Sequence, residues 1–483
     1  MKLAFARRSA AALLLASLAA CTTVGPDYAI PKDAAYARPE ANGAFLDTGN
    51  DRVQPSAPLP ERWWSLYRSP VLDALVQAAL RDNVELKVAA ANLRRADAMY
   101  QVAEDAAGPD FEVDASAQRA RISGESLLHE EQLPVMNLGD AKAGVSYLFD
   151  MFGKLRRGEE AARADSEAAQ AALDLARMAL VARVTGNYVA ICHANHELAV
   201  AEHSVELQKR GRSVVQRLVA AGRGTPPDLA RAEAQVATLE AALPPLRAKR
   251  EAAEYQLAAL LGRTPGQLPE GVADCRQAPE INRPIPIGDG RALLARRPDV
   301  REAERRLAAA TARIGVATAD LYPQIRLGAS VGAIGTLETF GSPATQMFGF
   351  GPLISWSIPG KAAHARVRAA EAGADAAVAQ FDHAVLQALR EAQTALSQYA
   401  QDLQRLQSLQ QAQRQADLAA GQNRRLYQAG RNPYLSSLDA DRTLASADIA
   451  LANAEAQVAQ DQIQLFLALG GGWEEADASS HAR

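Results

Sequence analysis

No stretch of this 483-residue chain is apolar for long enough to cross a bilayer as a helix. Its most continuous apolar run, Ala10 to Ala20, falls short of the ~20 residues that a span needs. Cysteine is nearly absent: Cys21, Cys192 and Cys275 make no disulfide framework, and no paired Cys-x-x-Cys is there to hold zinc. Basic charge is not in excess either. The formal net charge is −4, and with Lys2, Arg7 and Arg8 of the N-terminal segment set aside, 49 basic residues face 56 acidic ones. That balance, near −7, suits solubility and argues against a nucleic-acid surface. Catalytic signatures are missing as well. There is no His-Glu-x-x-His, the "AGRGTPPD" run at 221–228 lacks the Lys-Ser/Thr ending of a phosphate loop, and the Asp, Glu and Ser residues form no recognisable catalytic arrangement. His193, His196 and His203 would share a helix face beside Cys192, but without a supporting motif no metal is assigned to them.

Proline is absent from two stretches, Gly153 to Gly222 and Gly360 to Gly430, each rich in Ala, Gln, Glu, Arg and Leu. At ~1.5 Å per residue, a helix filling most of such a stretch would be roughly 90 to 100 Å long, far beyond the needs of a compact domain. Val378, Phe381, Val385, Leu389, Ala392, Leu396, Tyr399, Leu403 and Leu406 step by three or four, the spacing of a coiled-coil seam. Such helices read as staves of an extended assembly.

The chain matches itself. At an offset of 214, Leu80, Leu93, Ala96, Val102, Ala103 and Pro109 fall on Leu294, Leu307, Ala310, Val316, Ala317 and Pro323. At 207, Gly153-Lys154 falls on Gly360-Lys361, and at 208 Ala221-Gly222-Arg223 and Leu261-Gly262 fall on Ala429-Gly430-Arg431 and Leu469-Gly470. A tandem duplication is the economical reading, each half running helix, strand, strand, long helix, shorter helix. The first half places a helix near 71–106, strands near 111–122 and 141–151, a long helix to 220 and another over 226–261. The second places a helix from about Pro298, strands near 325–334 and 347–358, and helices over 361–429 and 433–469. Thr225 with Pro226, and Asn432 with Pro433, are read as helix starts. Pro244-Pro245 predicts a kink in the first returning helix alone. The boundaries expected are a leader over 1–20, a Pro-rich extended segment over 21–70 that wraps a surface without forming a core, repeats over 71–262 and 291–470, a linker over 263–290, and a mobile tail over 471–483.

The strands alternate. Phe348, Phe350, Pro352, Ile354, Trp356 and Ile358 share one face against Gly349, Gly351, Ser355 and Ser357, with Leu353 the exception; Val145, Tyr147 and Phe149 oppose Gly144, Ser146 and Asp150; Phe111 and Val113 oppose Glu112 and Asp114. Membrane-spanning strands and a half-buried soluble sheet share this period. The lack of a spanning helix and the excess of helix over sheet favour membrane strands, with Phe348, Phe350, Ile354 and Trp356 toward lipid. Four strands cannot close a barrel, and unpaired edges do not survive in hydrocarbon, so a barrel must be shared among two, three or four chains.

Lys2, Arg7 and Arg8 before the apolar run form a secretory leader, and Leu18-Ala19-Ala20-Cys21 resembles the lipobox of bacterial lipoproteins, in which the Cys becomes the lipid-bearing (palmitate-carrying) first residue. By the same resemblance, Thr22 favours the outer membrane. In an oxidising compartment a Cys192–Cys275 bridge is open, yet no framework asks for one and the reading leans to free thiols. Taken with Gly25-Pro26-Asp27-Tyr28, Trp63-Trp64, "LVQAALRDNVELKVAAANLRRA", the two "AGR" turns and "YLSSLDADRTL", the chain resembles the TolC-like outer membrane factors, in their lipidated NodT-type branch. The resemblance spans essentially the whole mature chain. It implies a mainly α protein with a membrane β-barrel, a homotrimer with twelve strands in one barrel and twelve helices in a periplasmic tunnel. It further implies the passive exit duct of a tripartite efflux pump, working with a periplasmic adaptor (membrane fusion) protein and an inner-membrane transporter of the resistance-nodulation-division type, without enzymatic activity or cofactor. A type I secretion duct, or a lipoprotein scaffold without a channel, are the alternatives.

The resemblance also places a periplasmic gate on Leu435, Asp439 and Arg442: an apolar constriction, an acidic ring and a tethering base. A solvated Asp439–Arg442 pair is the plainer alternative. Ser436 stands where some relatives carry a second Asp. Gly222, Arg223, Gly430 and Arg431, at the hairpin tips, are the implied adaptor contacts, although Gly is also what a helix needs to end.

Overall fold

The computed structural model describes residues 23–46, 51–55, 57, 59–123, 125, 130–281 and 283–472; the leader, Cys21 and residues 473–483 of the expected tail lie outside the described residues. The chain divides into two compact units, one made of the segment up to Pro31 with Asn92–Gln170 and Glu302–Phe381, the other of Lys32–Ala91, Ala171–Arg301 and everything from Asp382.

In chain order the elements are β1 (Val53–Gln54), α1 (Pro70–Asp82), α2 (Val84–Asp105), β2 (Asp110–Ala120), β3 (Met136–Phe149), α3 (Lys154–Ala220), α4 (Pro226–Glu240), α5 (Leu243–Leu260), β4 (Ile285–Pro286), α6 (Gly290–Arg296), α7 (Pro298–Ala319), β5 (Gln324–Thr336), β6 (Gln346–Ser355), α8 (Lys361–Gln428) and α9 (Tyr434–Ala468). The duplicated order expected from the sequence is present: a strand pair, a helix of 67 or 68 residues and a returning helix occur twice.

The first unit is built on one antiparallel sheet in the order β2-β3-β5-β6. Its register aligns the oily positions across all four strands. Phe111 pairs with Val145, Val145 with Ala329 and Ala329 with Phe350; one step along, Val113, Ala143, Val331 and Phe348 do the same. Because side chains alternate with period two, the register puts every such residue on one face. Polar and small residues dominate the other, where Lys142 pairs with Asp114 at 3.3 Å and Gly144, Ser330 and Gly349 lie in line with Glu112, although Leu148, Ile334, Met347 and Leu353 share it. β6 stops at Ser355, shorter than expected. Its partner begins at Gln324, just after Pro323, so Trp356 and Ile358 lie past the last paired residue.

α3 starts where the Asp150 carboxylate accepts from the Leu155 and Arg156 amides at 3.0 and 2.9 Å, covering two of the donors a helix start leaves unpaired. Beside it lies the segment after Cys21. The Val24 amide donates to Phe152 O at 3.1 Å, and the buried Arg157 guanidinium donates to Val24 O, Gly25 O and the Asp27 carboxylate. Gly25 is required there: φ is +87°, and a Cβ would stand 2.5 Å from Gly315 Cα.

The second unit corrects the view of the N-terminal segment as a mere wrapping. Trp63 is fully buried, its ring stacked on Phe466 with centroids 4.6 Å apart, and Trp64, Tyr67, Leu59 and Val53 are buried with it. The segment is not simply extended: it makes short 3-10 turns at Ala35–Ala37, Pro39–Asn42 and Trp63–Tyr67, and the last of these buries Trp63, Trp64 and Tyr67, side chains large enough to make core. β1 pairs in parallel with β4 of the linker, whose Val272, Ile281, Ile285 and Ile287 are also buried. The seam expected on α8 is buried at Phe381, Val385, Ala392, Leu396 and Tyr399 and half-buried at Val378, Leu389, Leu403 and Leu406, with Ala388 buried in place of Leu389.

Two further expectations give way. The helix read over 71–106 is two, broken at Asn83, because the Asn83 amide donates to Leu260 O at 2.9 Å while its carbonyl caps the Leu86 amide at 2.8 Å. Cys192 and Cys275 form a disulfide, with Cα atoms 4.8 Å apart. The sequence offered no framework because one bridge between a helix and a loop 83 residues away leaves no spacing signature. The kink did materialise: α4 ends at Glu240 and α5 begins at Leu243, next to Pro244 and Pro245, while α9 runs unbroken.

Candidate functional site

Four of the glycines matched in the repeat share one physical job. At Gly222, Gly262, Gly430 and Gly470 φ lies between +67° and +78°, as +73°, +68°, +68° and +77°. After each, the next amide reaches back five residues: Arg223 to Leu218 O, Arg263 to Ala258 O, Arg431 to Leu426 O and Gly471 to Phe466 O, at 2.8 to 3.1 Å. This is the Schellman ending, which needs a left-handed residue and so favours glycine. At Gly222 and Gly430 a Cβ would meet nothing within 4 Å, so conformation and not space demands glycine there. The two turns then differ. Thr225 and the Asp228 carboxylate cap α4 reciprocally, whereas α9 begins at Tyr434 with Pro433 as its uncapped N-cap. Asn432, expected as the cap, instead donates to Asn423 Oδ1 at 3.1 Å. Arg223 and Arg431 are both exposed.

α9 presents the expected gate residues on one exposed stripe. Leu435 is 53% exposed, Asp439 and Arg442 are exposed at the i+4 and i+7 positions, and Ser437, Leu438, Leu444 and Ala445 pack on the opposite side. Asp439 and Arg442 are both solvent-exposed at i,i+3, and among the described residues no ion pair within 4.0 Å joins them. Leu435 is thus a large apolar residue with nothing over it, next to an acidic neighbour without a counter-charge among the described residues.

Behind the stripe lies a layer of which sequence reasoning singled out only Tyr427, by its match to a family tip tyrosine. Asp441 pairs with Arg424 of α8 at 3.1 Å, and burial pushes its carboxyl pKa up against the opposing pull of that guanidinium. Tyr427 and Tyr434 pack with ring centroids 5.5 Å apart. The Tyr434 hydroxyl is pushed up to about 12, first by burial, then by Asp441 and Tyr427; Asp228 raises both tyrosines, so the two hairpin ends lie within electrostatic reach of one another. A signal was available: in "LDADR", Asp439 and Asp441 stand two apart and must point to different sides of a helix.

At the other end of the chain's function, Phe348, Phe350, Ile354 and Trp356 are 89, 77, 65 and 54% exposed. Among the described residues β2 and β6 each pair along one edge only, leaving the other edge open. His193 is buried, with its pKa lowered to about 4 by burial and by His196 and Lys249, and His196 lies 3.7 Å from Glu455. Among the described residues no three His, Cys, Asp or Glu side chains gather in a way that could hold a metal ion.

The model of the outer membrane efflux protein family matches residues 75–263 and 290–471, the two repeats in turn. The chain belongs to that family. The protein is similar to nodulation protein T of Rhizobium leguminosarum bv. trifolii, 28% identical over 93% of this chain and 94% of the relative. To the pyoverdine export outer membrane protein OpmQ of Pseudomonas putida it is 30% identical, over 96% of both. Among solved structures, the outer-membrane channel OprN superposes with a TM-score of 0.86 at 35% identity, over 94% of this chain and all of that one. The efflux protein is therefore an outer-membrane component of an efflux system, in a family of channels and not of enzymes, with the TolC-like fold.

Proposed function

We propose that three copies of this efflux protein form a duct through the outer membrane, passively carrying substrates delivered by an inner-membrane transporter through a periplasmic adaptor. One observation carries the reading: a four-stranded sheet whose apolar face is exposed along aligned ladders and whose β2 and β6 edges are both open among the described residues. In hydrocarbon each unpaired N–H or C=O costs several kcal/mol, so β6 of one copy pairs with β2 of the next until a barrel closes. Three copies give twelve strands, the number the family resemblance implies. The polar, glycine-lined face then bounds an aqueous lumen.

Lipid on Cys21 anchors the chain, and the docked Thr23–Tyr28 segment holds that anchor beside the end of β3. Gly222, Arg223, Gly430 and Arg431 meet the adaptor, since both turns are exposed and adjacent. The transporter is of the resistance-nodulation-division type. Leu435 closes the periplasmic end, Asp439 forms a cation-binding ring around the same axis, and Arg442 tethers the closed state to a neighbouring chain. Unpaired carboxylates brought together near an axis resist sharing charge, so closure responds to pH and cations.

Planar bilayer recording is the test. Wild-type trimers are expected to conduct, with Asp439→Ala altering conductance or cation block. No channel in any condition overturns the duct and leaves a scaffold.

A further inference from the structure

The Cys192–Cys275 bridge is placed where it matters for the second unit. Cys192 is fully buried on α3, and Cys275 sits in the loop that joins the two repeats. Around the bridge this loop is also held by side chains of α3 and by its own apolar residues. The Asn195 side-chain amide donates to Ala273 O and Cys275 O, both at 2.8 Å, and Val272 and Ile281 are buried on either side. Just past Cys275, residues 276–281 wall a cavity of about 370 Å³ with His193, His196, Tyr399 and Glu455 on its other sides. Thus the loop from 273 to 281 closes over α3, α8 and α9, and the covalent tie to α3 is at its near end.

We infer that the chain is a substrate of a periplasmic thiol oxidase, and that the bridge this partner installs is the clamp holding the inter-repeat loop on α3. The chemistry balances with one named co-reactant, a protein that carries a disulfide. One cysteine thiolate attacks that disulfide and forms a mixed disulfide; the second thiolate displaces it. Two electrons leave the Cys192 and Cys275 sulfurs, two protons leave their thiols, and the oxidase is released as a dithiol. A buried Cys192 is inaccessible once α3 has packed, so the exchange precedes completion of the second unit. The inference rests on the helices lying in the periplasm, and a thioether on Cys21 would remove the one competing thiol.

Full-length protein in outer-membrane fractions, denatured and treated with a maleimide-bearing polymer, tests the oxidase. No addition to Cys192 or Cys275 is expected before reduction and two additions after it; cells lacking periplasmic thiol oxidases should give two without reduction. Free thiols in the first case, or full oxidation in the second, overturn the inference. Trypsin cleavage after the exposed Arg276 tests the clamp, with cleavage after Arg223 as the internal control. Cys192→Ser with Cys275→Ser should be cut at Arg276 about tenfold faster than wild type, since local opening sets the rate. Should that variant not fold, wild type treated with a thiol reductant gives the same reading, and an unchanged rate overturns the clamp. Neither readout involves transport, so failure of the duct reading would leave both results standing.

Discussion

The two repeats of this protein reach the same junction by opposite chemistry. At the end of the first, the neutral amide of Asn83 donates to Leu260 O, the last helical carbonyl of α5, at 2.9 Å. At the matching place in the second, 214 residues on, the buried Arg297 guanidinium donates to Ala468 O at 2.8 Å and also holds the Asp299 and Glu391 carboxylates at 2.7 and 2.8 Å. Each satisfies a carbonyl that a helix end leaves without a partner. The backbone requirement was duplicated; the side chain that meets it was not. A duplicated fold therefore keeps its terminal hydrogen-bond accounts and drifts in charge.

Breaking the ionic version is expected to be the most damaging change. Arg297→Ala would take the donors from the Asp299 carboxylate and Ala468 O and leave Glu391 with Gln387 alone as a close donor, at a cost of about 3 kcal/mol, because removing the buried partner uncovers the desolvation of the others. Thermal unfolding of the purified protein should show it, and a loss no larger than that of Asn83→Ala would sink the distinction between the two junctions.

A second charge separates the repeats. Asp461 on α9 is buried, with Gln457 donating to it at 2.8 Å, where the first repeat has Ala253 208 residues earlier. Burial is the main cause that lifts its pKa from 3.8 to about 6, and Asp402 of α8 adds to the rise. The sign follows from linkage. A carboxyl whose folded pKa is raised stabilises the fold while protonated, below about pH 4, and that contribution is lost as pH rises through about 6. Asp461→Asn should accordingly gain about 2 kcal/mol over wild type at pH 8 and nothing at pH 4. A gain independent of pH would show that the charge is not the cause.

How much of this was legible follows from what each device requires of sequence. Gly222, Gly262, Gly430 and Gly470 stood out because a left-handed helix end narrows the choice to one residue. The strand faces stood out because period two is rigid. Asn83 and Arg297 did not, since a side chain that caps another helix 171 or more residues away leaves no local pattern. The burial of Trp63 was hidden behind neighbouring prolines, and the Cys192–Cys275 bridge behind the scarcity of cysteine itself. At the candidate gate, Leu435, Asp439 and Arg442 were picked out by the family resemblance and only their shared face by spacing, while their support by Arg424 and Asp441 depends on α8 and α9 packing side by side.

Asn83→Ala should cost less than the loss of Arg297, about 1 to 2 kcal/mol, because the groups left unpaired, Leu260 O and the Leu86 amide, are neutral. Its loss should also be indifferent to salt, whereas that of Arg297 should shrink as ionic strength rises, and equal salt dependence in the two unfolding series would contradict the ionic account.

The smallest effect concerns the break between α4 and α5. Pro244 and Pro245 cannot donate backbone hydrogen bonds, and the matching positions in α9, Ala452 and Asn453, can. Replacing both prolines by alanine restores two donors but also returns freedom to the unfolded chain, about 0.4 to 1 kcal/mol at each site. The terms oppose, so stability should move by no more than about 1 kcal/mol in either direction. The local structure should respond more clearly than the stability does. Amide hydrogen exchange over 241–246 should slow toward that of 449–454 in the unbroken α9, because the helix can then run through. If exchange stays fast, the break is imposed by packing around α5 and the prolines merely occupy it.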